Sequence, residues 1–278
     1  MSKYGRTPES NTLRDQAEEA LQRAFRINPD LSLAHHLYTH FEVDAGRPVN
    51  AMVRLLGRVR TCSSDPELYA GLVHACRYVG LLEASIAAYQ RASRLDPAIR
   101  TSVAHTFFMT GDFPHVIECD VDDPPYLTVL ALHALGRTSE AIGMCSAAGS
   151  GNVANEHLLL FIDASKALLE GRIGAGRSAV AGLQAFPTFS DPEGLYLWAQ
   201  LAAGLGDMEN AIGLLNRAVE TGFYATQGLE LSAFLAPVRT DSRFSEIFDR
   251  ARAGHRAASR AFIDADGPRL LGLTADAD

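Results

Sequence analysis

Lysine is almost missing from this chain. Lys3 and Lys166 are the only two, so nearly all of the 25 positive side chains are arginine, and 33 carboxylates outnumber them for a formal net charge of −8. An acidic chain without a basic block cannot neutralise a run of phosphates, which argues against non-specific nucleic-acid binding. The same shortage argues against attraction to an anionic membrane surface. Cysteine is sparse too: Cys62, Cys76, Cys119 and Cys145 stand far apart with no C-x2-C pair. Neither a zinc site nor a redox pair is indicated, and buried, reduced thiols of a cytoplasmic protein are expected. No run reaches the ~20 apolar residues that a bilayer span needs. The opening MSKYGRTPES is polar and lacks the apolar stretch of a secretion signal. Also missing are G-x-S-x-G, H-E-x-x-H and any acidic metal motif. No catalytic centre and no cofactor are therefore expected.

What the chain does have is helical periodicity broken by glycine. From Thr12 to Ile27, Leu13, Ala17, Ala20, Leu21, Ala24 and Ile27 recur at spacings of three and four, an amphipathic helix that Ser10 or Asn11 would cap. Glycines then fall at Gly46, Gly80, Gly111, Gly136, Gly171 and Gly206, in steps of 34, 31, 25, 35 and 35. A helix commonly ends in the left-handed backbone region, which only glycine enters cheaply, so each marks a turn between two helices. The short steps surround GDFPHVIECDVDDPP, where Pro114 and Pro124-Pro125 leave room for only a very short helix. The array is thus expected to be irregular near 110–126. Helix starts are marked as well. Ser64-Asp65-Pro66-Glu67 and Ser190-Asp191-Pro192-Glu193 spell the same four letters, with a capping Asp, a Pro suited to the first turn and a Glu that favours the positive helix end. The expected domains are a repeat array over 1–239 and a capping helix with tail over 240–278. In that last helix Phe244, Ile247, Phe248, Ala251, His255, Ala258 and Phe262 share one face, and Arg243, Glu246, Arg250 and Arg256 the other. The segment from Pro268 is expected to fold back on it, and 274–278 to be disordered.

The unit PELYAGLVHACRYVGLLEASIAAYQRASRLDPAI, from Pro66 to Ile99, resembles the tetratricopeptide (TPR) repeat, whose period is ~34. Tyr69, Leu72, Val73 and Cys76 fill the first-helix slots, Ser85 and Tyr89 the second-helix slots, and Pro97 the end. Ala51 with Leu55, and Ala211 with Leu215 and Ala218, fill the same slots elsewhere. The resemblance spans nearly the whole chain and implies an all-α superhelix, a solenoid of six or seven helical hairpins with a C-terminal capping helix. The helix ending AFRINPD matches the second helix of such a unit, so either it caps the array or the array once extended upstream. RYVGLLEASIAAYQRASRLDP, IRTSVAHTFFMTGDF and LAPVRTDSRFSEIFDRAR also resemble the TPR regions of bacterial multidomain signalling proteins, where arrays sit behind a kinase or cyclase-type domain.

In that family the first helices line a concave groove. Carried over position by position, the groove falls here on His36, His40 and Asp44, then Glu67, His74, Arg77 and Tyr78, then Tyr126 and His133, Phe161 and Ser165, and Tyr196 and Gln200. Such a stripe is expected to bind a protein or peptide partner, since aromatics and Arg bring contact area and planar hydrogen bonding. Exposed histidines there would make binding depend on pH near ~6.5. The carboxylate clamp of chaperone-tail adaptors is not matched. Homo-oligomers through the solenoid ends, or a regulatory fragment of a kinase- or cyclase-type enzyme, are the alternatives. Three further strings bear on enzyme chemistry. GRIGAGRS, from Gly171 to Ser178, resembles a phosphate loop with Arg177 in place of Lys, but a helix precedes it and Gly171 is a turn glycine. His36 and His40 share a helix face with no completing Glu or Cys. Asp120, Asp122 and Asp123 read as loop solvation and capping.

Overall fold

The computed structural model describes residues 8–120, 125–148, 156–183, 186 and 191–273. Those residues form an all-α array with no strand among them. A lone helix α1 (Pro8–Ile27) leads into six hairpins. These are α2 (Ser32–Asp44) with α3 (Pro48–Thr61), α4 (Pro66–Tyr78) with α5 (Leu82–Leu95), and α6 (Val103–Thr110) with α7 (Phe113–Cys119). Then come α8 (Tyr126–Ala134) with α9 (Thr138–Ala148), α10 (Glu156–Leu169) with α11 (Ile173–Gly182), and α12 (Pro192–Gly204) with α13 (Met208–Glu220). A short α14 (Thr226–Leu231) and two 3-10 turns precede the long α15 (Ser242–Asp264) and the short α16 (Gly267–Leu271). No described helix is long and apolar enough to cross a membrane.

One local device makes all six hairpins. Gly46, Gly80, Gly111, Gly136, Gly171 and Gly206 all have φ between 70° and 80°. At the first, Gly46 N–H donates to Val43 O at 2.9 Å and Arg47 N–H to Glu42 O at 2.8 Å; at the last, Gly206 donates to Ala203 O at 2.9 Å and Asp207 to Ala202 O at 2.8 Å. This pair of bonds satisfies the orphan carbonyls of the first helix and reverses the chain. The repeated start signal works as the sequence implies: Asp65 accepts from Glu67 N–H and Asp191 from Glu193 N–H, both at 3.1 Å. The helix pairs bury Ala51, Leu55, Ala92, Ala211, Leu215 and Ala218 completely. The irregular middle is present as a seven-residue α7. The first helix starts at Pro8 rather than after Ser10 or Asn11. It packs on α2, and Leu13 and Ile27 stay exposed. Gly149 to Asn152, Asp122, Asp123 and 274–278 lie outside the described residues.

The two ends of the array meet. The last helices do more than cap the final hairpin: α15 touches α13 and α14 but also α3, α16 lies on α3 and α5, and α14 packs against α6. Backbone closes the seam. Tyr224 N–H donates to Tyr78 O at 2.7 Å, His255 Nδ1 donates to Val79 O at 2.9 Å, and Arg60 donates to Ala265 O at 2.9 Å. At Gly80 a Cβ would stand 2.4 Å from the Tyr224 carbonyl oxygen, so this turn needs glycine for space as well as for φ. The expected long open concave face is therefore corrected. The array curls until its early hairpins bury their inner side against its late ones. The outward face of α15 keeps Arg243, Glu246, Arg250 and Arg256 exposed, as expected.

Candidate functional site

Most of the predicted stripe faces inward. On α2, α4 and α12, His74, Arg77, Tyr78, Tyr196 and Gln200 are each 5% exposed or less, and Asp44 is buried as well. Phe161 and Ser165 on α10 are also buried. For these residues the expectation of a solvent-facing groove is corrected, because the closing segments occupy the concave side.

Arg77 is the centre of the seam. Its Nε donates to Glu193 Oε1 at 2.8 Å and its Nη2 to Glu193 Oε2 at 3.0 Å, a two-point grip across α4 and α12. Its Nη1 donates to both the carbonyl and the hydroxyl of Ser102 at 2.9 Å, and Nη2 reaches His74 Nδ1 at 3.0 Å. His105 Nδ1 lies 3.1 Å from Glu193 Oε2, and Tyr126 O–H is 3.0 Å from the other ring nitrogen of His105. Burial alone would raise the Glu193 carboxyl. Arg77 and His105 outweigh it and hold the carboxyl below its ordinary value. Burial would likewise lower Arg77, and Glu193 outweighs it in turn. Beside this pair Tyr78 donates to Asp191 Oδ1 at 2.7 Å. Burial, then Asp191 and Glu193, push the Tyr78 hydroxyl well up, so it stays a donor. A carboxylate locked to a guanidinium is a weak base. The Tyr126–His105–Glu193 chain extends the seam's hydrogen bonds to α8.

The stripe remains open at its N-terminal end. His36, His40, Arg100, Thr101, His105 and Asp120 border a polar cleft of ≈ 220 Å³ between α2 and α6, and Ser102 leads from it down to Arg77. His36 Nδ1 lies 2.6 Å from Glu67 Oε2, the rings of His40 and His74 stand 4.3 Å apart, and Arg100 is exposed at the rim. His133 sits apart from this group, 3.1 Å from Thr138 Oγ1 and against the Phe234 ring. Sequence reasoning missed Glu193, Ser102, His105 and Arg100. The signal for Glu193 lies in the repeated SDPE letters, where it is the counterpart of Glu67, a predicted groove position. Ser102, His105 and Arg100 surround the start of α6, where the repeat pattern is weakest.

The enzyme-like strings have these positions in the fold. Gly171 is a turn glycine, α11 follows it, and Arg177 donates to Leu205 O at 3.0 Å and Gly206 O at 2.9 Å, closing the end of α12. Among the described residues no group of His, Cys, Asp and Glu is arranged to hold a metal ion. His35 turns from His36 and His40 toward Pro29 O, at 2.9 Å. Asp120 accepts from both N–H and O–H of Thr128, at 2.9 and 2.8 Å, near the start of α8. Cys76 and Cys145 are buried, with thiols pushed by burial up to about 12 and about 11; Cys62 and Cys119 are only half-buried, unlike the expectation. No family model matches the chain, and no curated protein matches it either.

Proposed function

We propose that this chain is a non-catalytic, TPR-type interaction module that takes a protein or peptide partner at the polar cleft between α2 and α6. One observation carries the reading. This cleft is the part of the predicted stripe that stays open once the array has closed, with His36 and His40 on one wall and Arg100 and His105 on the other. Imidazoles, hydroxyls and a rim guanidinium suit a peptide segment that offers carbonyls and a carboxylate, since Arg pairs with carboxylate at two points. Rigid hairpins on both walls limit the ordering entropy that binding must overcome. A place in a bacterial signalling assembly rests on the family resemblance alone.

The test is affinity capture with the wild-type chain and with His40→Ala/Arg100→Ala, which changes the rim and leaves the Arg77–Glu193 pair intact. A partner enriched by the wild type, reduced at least tenfold by the double change and unaffected by Arg256→Ala on the outer face of α15 supports the cleft. Equal capture by all three chains overturns it.

A further inference from the structure

Ring closure also forms a smaller, partly open space, distinct from the polar cleft. It lies between the ends of α6 and α8, α12 and the segment 228–234, with a volume of ≈ 180 Å³. Phe108, Met109, Phe113 and Phe234 give it apolar walls, and Ala134 stands exposed at its edge. Gln200 is the polar exception that matters. It is 1% exposed, its Oε1 accepts from the Ser232 hydroxyl at 2.6 Å, and its Nε2 has no hydrogen-bond partner among the described residues. With the amide oxygen on Ser232, the Gln200 N–H groups are left without an acceptor among the described residues. The neighbouring Tyr196 hydroxyl is spent on the Gly228 carbonyl at 3.0 Å. A buried donor left without an acceptor is costly, and it marks a place where an acceptor fits.

We propose that this cavity binds a small apolar molecule of one ring, bearing a single neutral hydrogen-bond acceptor such as a carbonyl, which receives the Gln200 amide N–H. Size sets the ring count. An apolar protein cavity of ~150 Å³ takes benzene, so this one holds a ring and a short substituent, well below the ~300–1,000 Å³ of a drug-sized pocket. Charge sets the acceptor. No acidic or basic side chain lines the cavity, and the nearby Arg239 is bonded to Leu229 O at 3.3 Å and Ser232 O at 2.8 Å. A carboxylate there would lose its hydration without a counter-ion, whereas a ketone or amide oxygen would not. Because α12 and the segment after α14 both line the space, an occupant binds the closed array and stabilises it.

The probes are acetophenone and ethylbenzene, which match in shape and differ in the carbonyl oxygen. Each is titrated into the full chain and followed by ligand-observed NMR and by melting temperature. Both are expected to bind, with acetophenone about fivefold tighter, the factor of one net hydrogen bond. Gln200→Leu is expected to bring the two affinities together, and Ala134→Phe, at the exposed edge, to exclude both. Absence of binding by either probe overturns the proposal. So does equal affinity in the wild type, a carbonyl preference that survives Gln200→Leu, or binding unaffected by Ala134→Phe. If Gln200→Leu does not fold, the wild-type pair of affinities and Ala134→Phe decide the matter.

Discussion

The α4–α12 seam and the α2–α6 cleft are two stretches of the same polar stripe, and they have opposite fates. In the seam Arg77 and Glu193 are 1% and 3% exposed and grip each other at two points. In the cleft His36 also meets a glutamate, Glu67, but the two side chains are 17% and 30% exposed. Residue type does not separate the two regions, since both hold imidazole, carboxylate and guanidinium. Water does. The late helices dock on α4 and exclude solvent from its inner face, while His36 and His40 on α2 lean on α4 and still border the open cleft. The same residue types therefore act as a latch in one place and as a binding surface in the other.

The largest expected effect breaks the latch. Glu193→Ala leaves the Arg77 guanidinium buried without its counter-charge and is expected to cost about 3–5 kcal/mol in a denaturant melt. Arg77→Met with Glu193→Leu should recover much of that loss. Surface changes away from such features usually stay within about 0.5 kcal/mol, and Arg100→Ala at the cleft rim is expected to fall there. Equal losses from Glu193→Ala and Arg100→Ala would remove the distinction between the two regions.

Two glycines of identical backbone shape sharpen the contrast. Gly80 and Gly136 have φ of 80° and 77°, but a Cβ at Gly136 meets nothing within 4 Å, while at Gly80 it meets the Tyr224 carbonyl at 2.4 Å. Gly136→Ala should cost about 1–2 kcal/mol for the left-handed backbone alone. Gly80→Ala should cost clearly more and shorten the lifetime of the Tyr224 amide proton in hydrogen exchange, because the seam must part.

Acid supplies the smallest and most graded test. Burial leads in holding His35 and His133 below the ordinary 6.5. Between that value and their folded values the unfolded chain binds more protons, so stability is full above pH 6.5 and declines as pH falls through this window. Glu193, held below its ordinary 4.5, adds a second decline as pH falls from 4.5 through its folded value. A melting temperature flat from pH 7 to pH 4 would contradict the first step. Glu193→Gln should shrink the second, leaving the part due to Arg-paired surface carboxylates such as Asp241.

How much of this was legible in the sequence depends on the range of the interaction. All six turn glycines, the Asp65 and Asp191 caps, the very short α7 and the apolar face of α15 follow from residues a few positions apart. Such features rest on backbone geometry and helical period, which any chain carries locally. The stripe could be found too, because repeats place equivalent residues on equivalent faces. Its exposure could not. Whether Arg77 meets water or Glu193 depends on a contact between residues 116 positions apart, and no local pattern encodes the small rotation between successive hairpins that brings them together. Helices and turns were thus determined by the sequence through short-range stereochemistry. The closure of the array, and with it the division of one stripe into buried latch, open cleft and Gln200 cavity, was decided by how those rotations add up in the tertiary structure.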